Sequence, residues 1–128
     1  MLRILIVDDE PNIRLLLRQT LEDFLYAGVE LLEAANGETA LELIRSKRPK
    51  LVFLDVMMPG MDGFEVCRKV KQELGLHRVC ITMLTARGHD GDIQKGADVG
   101  ADMYLTKPFD PDGIVEIVKI VLGLRKGG

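Results

Sequence analysis

A chain of 128 residues with 47% hydrophobic and 29% charged side chains has the size of one domain with its own core, and its composition fits neither a disordered tail nor a fibre. Seventeen basic against 20 acidic residues leave a formal net charge of −3, and no basic run is long enough to serve as a nucleic-acid footprint. No apolar run approaches the roughly 20 residues of a membrane span, and the apolar stretch in MLRILIVDDE is too short for a secretion signal, so the expected location is the cytoplasm.

Leu2 to Val7 is almost continuously apolar, which suits a strand buried on both faces of a parallel sheet. It stops at Asp8-Asp9-Glu10. Pro11 opens a helix whose apolar residues Ile13, Leu16, Leu17, Leu21 and Phe24 recur at helical spacing until Gly28. The same alternation predicts a strand over 30–34, a helix over 37–47, a strand over 51–55, a helix over 63–74 and a strand over 78–84. A weaker helix over 90–99, a strand over 102–106 and a last helix from Pro111 to about Leu124 complete the pattern. Five strands interleaved with five helices imply an α/β fold with a parallel sheet covered on both faces. Residues 125–128 (RKGG) read as a frayed tail.

Cys67 and Cys80 fall in different predicted elements and lack metal-type spacing, so neither a disulfide framework nor a zinc site is expected. His77 and His89 stand alone and are expected at the surface.

In an open α/β sheet the reactive crevice lies outside the carboxyl ends of the strands. There the predicted strands end in Asp8-Asp9, Asp55, Thr85 and Lys107. Any one of these residues is ordinary strand-to-helix punctuation, but five at one edge form a constellation. Like carboxylates at about 4 Å repel by roughly 4 kcal/mol at an effective dielectric of 20, so the cluster calls for a cation, and its hard oxygens suit Mg²⁺. With Thr85 as hydroxyl donor and Lys107 as point charge, the set can neutralise the oxygens of a phosphoryl group, leaving Asp55 as the nucleophile.

Four motifs carry a resemblance across essentially the whole chain: VDDE (Val7 to Glu10), FLDVMMPGMDG (Phe53 to Gly63), MLTARG (Met83 to Gly88) and GADMYLTKPF (Gly100 to Phe109). In this order and spacing they resemble the CheY-like receiver domains of response regulators in two-component signalling, with residues 1–124 as the receiver. The resemblance implies a flavodoxin-like (βα)5 fold with strand order 2-1-3-4-5. It also implies Asp55 as phosphoacceptor, and Asp9, Asp55 and the backbone carbonyl of Met57 as Mg²⁺ ligands with Asp8 acting through water. Thr85 and Lys107 become the phosphoryl-binding pair and Tyr104 the aromatic switch.

The expected function is therefore a switch that takes a phosphoryl group on Asp55 from a histidine kinase or phosphotransfer protein. It would then alter the surface of its fourth helix, fifth strand and fifth helix to control a protein partner or an output domain not on this chain. This is a signalling module and not an enzyme acting on free substrate. An aspartate-nucleophile phosphatase of the haloacid dehalogenase type would need a second Asp two residues after its nucleophile, where Met57 stands. A degenerate receiver acting without phosphorylation would not need all five site residues. A flavodoxin would need a hydroxyl- and glycine-rich loop where DDEP stands. Met57, Met58 and Met61 read mainly as loop filling, with a soft partner surface as the alternative, and Gly60 and Gly63 as turn residues. The last helix holds more apolar residues than one core-facing stripe needs, so Ile93, Met103 and Ile117 are expected to form an outward patch for a homodimer or a partner.

Overall fold

The computed structural model describes residues 2–86 and 90–124; His89 and the tail at 125–128 lie outside them. The strands are β1 (Leu2–Val7), β2 (Val29–Ala34), β3 (Leu51–Asp55), β4 (Cys80–Ala86) and β5 (Met103–Lys107). The helices are α1 (Pro11–Leu21), α2 (Gly37–Lys47), α3 (Gly63–Arg68), α4 (Asp90–Val99) and α5 (Pro111–Leu122). All neighbouring strands pair in parallel, in the order β2-β1-β3-β4-β5, the flavodoxin-like arrangement that the motifs imply.

Each face of the sheet carries its own apolar layer. On one, Ile4, Ile6, Phe53 and Leu84 meet Leu17, Leu21 and Phe24 of the α1 segment and Ile114 and Val118 of α5. On the other, Leu5, Val7, Val52, Leu54 and Met83 meet Ala40 and Ile44 of α2 and Val66 and Val70 of the α3 segment. Alternate strand residues thus point to opposite layers, and both sets are fully buried, which is why the strands read as unbroken apolar runs. Each buried aliphatic or aromatic side chain contributes about 1.5–3 kcal/mol relative to exposure.

Several boundaries differ from those the periodicity predicts. The first helix does not continue as α-helix to Gly28: it ends at Leu21 and tightens into a 3₁₀ segment, Glu22–Ala27, closed by Gly28 at φ 83°. The third helix widens at Lys69–Glu73 into a π turn, with Leu74 N–H donating to Lys69 O at 2.8 Å. β4 and β5 start later than expected and run on to Ala86 and Lys107, and α5 stops at Leu122 because Gly123 takes a left-handed conformation at φ 67°.

One expected surface residue is in the core. Ile117 is only 8% exposed and packs with Ile114, Val118 and Val121 in the α1/α5 layer. Positions 114, 117, 118 and 121 form one helical stripe, whereas Glu116 and Ile120 share the opposite face, and Ile120 is 67% exposed. The expected patch of Ile93, Met103 and Ile117 therefore loses Ile117. Ile93 is exposed and Met103 half-buried. Cys67 is buried, Cys80 half-buried and both are free thiols, while His77 is exposed.

Candidate functional site

Strand register brings the polar residues together. Val7 pairs with Leu54, so the next residues, Asp8 and Asp55, lie side by side. Asp55 pairs with Leu84, which sets Thr85 one step beyond, and Ala86 pairs with Lys107. A slip of one residue in any strand would turn a polar end residue to the wrong face, and the buried apolar alternation prevents it.

Lys107 joins the two buried carboxylates. Its Nζ lies 2.8 Å from Asp8 Oδ2 and 3.3 Å from Asp55 Oδ1. Asp8 also accepts Glu10 N–H at 2.9 Å on Oδ1, and its carbonyl accepts from Arg14 Nη1 at 2.7 Å. Asp55 Oδ1 accepts Met57 N–H at 3.2 Å. Burial pushes the Asp55 carboxyl up to about 6, the Asp8 charge adds to the rise, and Lys107 with the Met57 amide opposes it. For Lys107, burial works against the ammonium, yet its hydrogen bond to Asp8 and the charges of both carboxylates prevail and raise its pKa.

Asp9 and Glu10 are exposed, and a carboxylate oxygen from each lies within 4.8 Å of one from Asp8. This is an all-oxygen donor group, the chemistry preferred by a hard divalent cation over a soft one. Glu10 was not expected in it. VDDE already contains the signal, but sequence spacing alone does not say which acid faces the site. Thr85 is 3% exposed and its hydroxyl donates to Leu105 O at 3.4 Å, an anchor on the neighbouring strand.

The loop after β3 is fixed from below by Gly63, where a Cβ would collide with the carbonyl oxygen of Asp55. Gly63 N–H also donates to Val56 O at 3.2 Å, and Asp62 caps α3 by accepting Glu65 N–H at 2.9 Å. Gly63 thus has a positioning role beyond turn chemistry. Of the loop methionines, Met57 is 61% exposed while Met58 is buried and Met61 half-buried. Tyr104 lies away from the carboxylates: its ring packs in the α2/α3/α4 layer over Gly96, and its hydroxyl is buried with no hydrogen-bond partner among the described residues.

The model of the response regulator receiver domain matches residues 4–119. The chain belongs to this family. As a receiver domain of two-component signalling it is 44% identical over 119 residues to the phosphate regulon transcriptional regulatory protein PhoB of Pseudomonas aeruginosa, covering 93% of this chain and 51% of that protein. It is 41% identical over 120 residues to the alkaline phosphatase synthesis transcriptional regulatory protein PhoP of Bacillus subtilis, covering 94% and 48%. The receiver spans about half the length of these curated relatives. Among solved structures, a putative response regulator from Chloroflexus aurantiacus superposes with a TM-score of 0.84 at 38% identity, covering 95% of this chain and 98% of that one. The chemotaxis protein CheY4 of Vibrio cholerae gives 0.82 at 36%, covering 94% and 98%. No helix among the described residues is long and apolar enough to cross a membrane.

Proposed function

We propose that this receiver is a phosphorylation-controlled switch in which Asp55 attacks the phosphorus of a phosphohistidine on a kinase or phosphotransfer partner. The Asp55 O–P bond forms as the N–P bond breaks, and the histidine leaves as neutral imidazole once it takes up a proton. The observation that carries this reading is the Lys107 ammonium set between the Asp8 and Asp55 carboxylates at the carboxyl edge of the sheet. After transfer, Lys107 can follow the charge onto the phosphoryl oxygens, and the Thr85 hydroxyl can exchange Leu105 O for one of them.

Asp9, Asp55 and the Met57 carbonyl would hold Mg²⁺ as ligands, with Asp8 acting through water; Asp8, Asp9 and Glu10 already bring one carboxylate oxygen each within 4.8 Å of one another. When bound, the ion neutralises charge that would otherwise accumulate on the acids and the incoming phosphoryl group. Movement of Thr85 frees space that Tyr104 fills, so the face formed by α4, β5 and α5 has two states that phosphorylation biases. Output passes from that face to a protein partner or a further domain, and the named relatives make transcription the output that similarity favours. Exposed Met57 beside Asp55 offers a soft apolar contact for the phosphodonor.

The test is incubation with acetyl phosphate and Mg²⁺ followed by intact-mass measurement. The receiver should gain one acid-labile phosphate adduct, and Asp55→Asn should gain none. An undiminished adduct in the variant would overturn the assignment.

A further inference from the structure

At the opposite pole of the sheet, where β3 and β4 begin, a cleft of about 470 Å³ lies between residues 48–50 and 75–79. That volume is in the range of small-molecule sites. Its charged lining is one-signed: Arg48, Lys50 and Arg78 border it together with His77, and among the described residues no carboxylate does. A cation at Arg48 alone would carry no signal, because it caps the carboxyl end of α2, where the helix dipole favours positive charge. Lys50 and Arg78 lie outside the helices, are exposed, and, like Arg48, form no ion pair among the described residues. Arg48 also holds a left-handed backbone conformation, φ 50°, a strain that glycine would avoid at this position. Between the cations the floor is apolar, with Pro49, Leu76 and Val79.

The wall is braced from behind. Lys71, inside the π turn and only 7% exposed, donates from Nζ to Val79 O at 2.6 Å and to His77 O at 3.4 Å. These carbonyls are thereby drawn onto a buried ammonium, which removes negative oxygens from the cation-lined side. Lys71 is itself paired with Asp102 at 2.9 Å, and Asp102 accepts Ile81 N–H at 2.8 Å. Cys80 N–H donates to Lys50 O at 3.0 Å, which ties the two walls together. A preformed cleft spends less binding energy on ordering its own loops.

We propose that this cleft binds a phosphate ester of nucleoside-diphosphate size, with the phosphates on Arg48, Lys50 and Arg78 and the apolar body on the floor between them. The site is separate from Asp55 by the length of β3, roughly 16 Å at 3.3 Å per residue.

Amide NMR titrations in Mg²⁺-free buffer test it, with ADP, GDP, adenosine and inorganic pyrophosphate as probes. ADP or GDP should shift the amides of residues 48, 50 and 75–79 saturably, and adenosine and pyrophosphate should each bind about tenfold or more weakly, since each offers half of the contacts. Lys50→Ala combined with Arg78→Ala should weaken the nucleotide by about tenfold or more while Asp55 still phosphorylates as in the wild type. Asp55→Asn should bind the nucleotide as the wild type does. The proposal is overturned if neither nucleotide shifts these amides, if the double variant binds undiminished, or if pyrophosphate alone binds as well as ADP.

Discussion

The ring of Tyr104 lies on Gly96 so closely that a Cβ at position 96 would come 2.7 Å from Cε1. The absence of a side chain at one helical position thus lets the aromatic residue proposed as the switch rest against α4 in this structure. Alanine is favoured over glycine in a helix by about 1 kcal/mol, but here its methyl group must displace the ring. Gly96→Ala should therefore move the unphosphorylated receiver toward the state that a phosphate mimic induces in the wild type. Ring proton shifts of Tyr104, measured by NMR in both proteins with and without the mimic, check this. Tyr104 shifts in the variant that match those of the unphosphorylated wild type would exclude the coupling.

Asp55 makes stability depend on pH in a defined direction. Its carboxyl sits at about 6 in the folded receiver against an ordinary value of 3.8, so the folded state holds the proton more tightly than the unfolded state. Between these values stability falls as pH rises, and the penalty is complete above pH 6, with an upper bound of roughly 3 kcal/mol. Other acids titrate in the same range, so the informative quantity is the difference between wild type and Asp55→Asn in Mg²⁺-free urea unfolding. The variant should be the more stable at pH 7, with the gap closing toward pH 4. Equal stabilities at pH 7 would show that the buried charge carries no cost.

Asp9 tests the metal set with little risk to the fold, because it is exposed while Asp8 and Asp55 are buried. Removing it relieves repulsion within the Asp8, Asp9 and Glu10 cluster and deletes one hard oxygen. Asp9→Ala should lose Mg²⁺ affinity by at least the roughly 10–100-fold that outer-shell partners alone command, and phosphorylation should slow with it. Thermal stability should hold or rise in the absence of metal. Calorimetric titration giving wild-type affinity would remove Asp9 from the ligand set.

Much of this arrangement was legible in the residues because one constraint governs both fold and site. Runs such as Leu51 to Leu54 must be buried on both faces, which makes the sheet parallel and sends every strand-end acid to one edge. Asp8, Asp55, Thr85 and Lys107 could be placed there without coordinates. Details set by tertiary contact were not legible. Glu10 joins the acids through local loop geometry, and Gly63 is required by the nearness of Asp55 O, a contact that no spacing encodes. Nothing in the predicted helix over 63–74 marks Lys71 as buried, yet three acceptors from the 77–102 region draw it inside. The facing of α5 failed for a related reason. With seven aliphatic residues in that helix, hydrophobicity alone does not say which of them faces the sheet.

That ambiguity now separates two substitutions three residues apart. Ile117 is packed against the α1/α5 layer, so Ile117→Glu would bury an unpaired carboxylate and should destabilise the receiver by about 3 kcal/mol or more. Loss of association in that variant would say nothing about a surface. Ile120 is 67% exposed on the opposite side of the helix, and Ile120→Glu should change stability by no more than about 0.5 kcal/mol. If α5 contributes apolar contact to self-association or to a partner, the effect belongs to Ile120. Unfolding in urea ranks the two variants, and sedimentation of wild type and Ile120→Glu, each with and without a phosphate mimic, reads the association. The expected outcome is a weakened dimer or complex in Ile120→Glu with an unchanged unfolding midpoint. A wild-type association constant in that variant would show that the exposed side of α5 takes no part in docking.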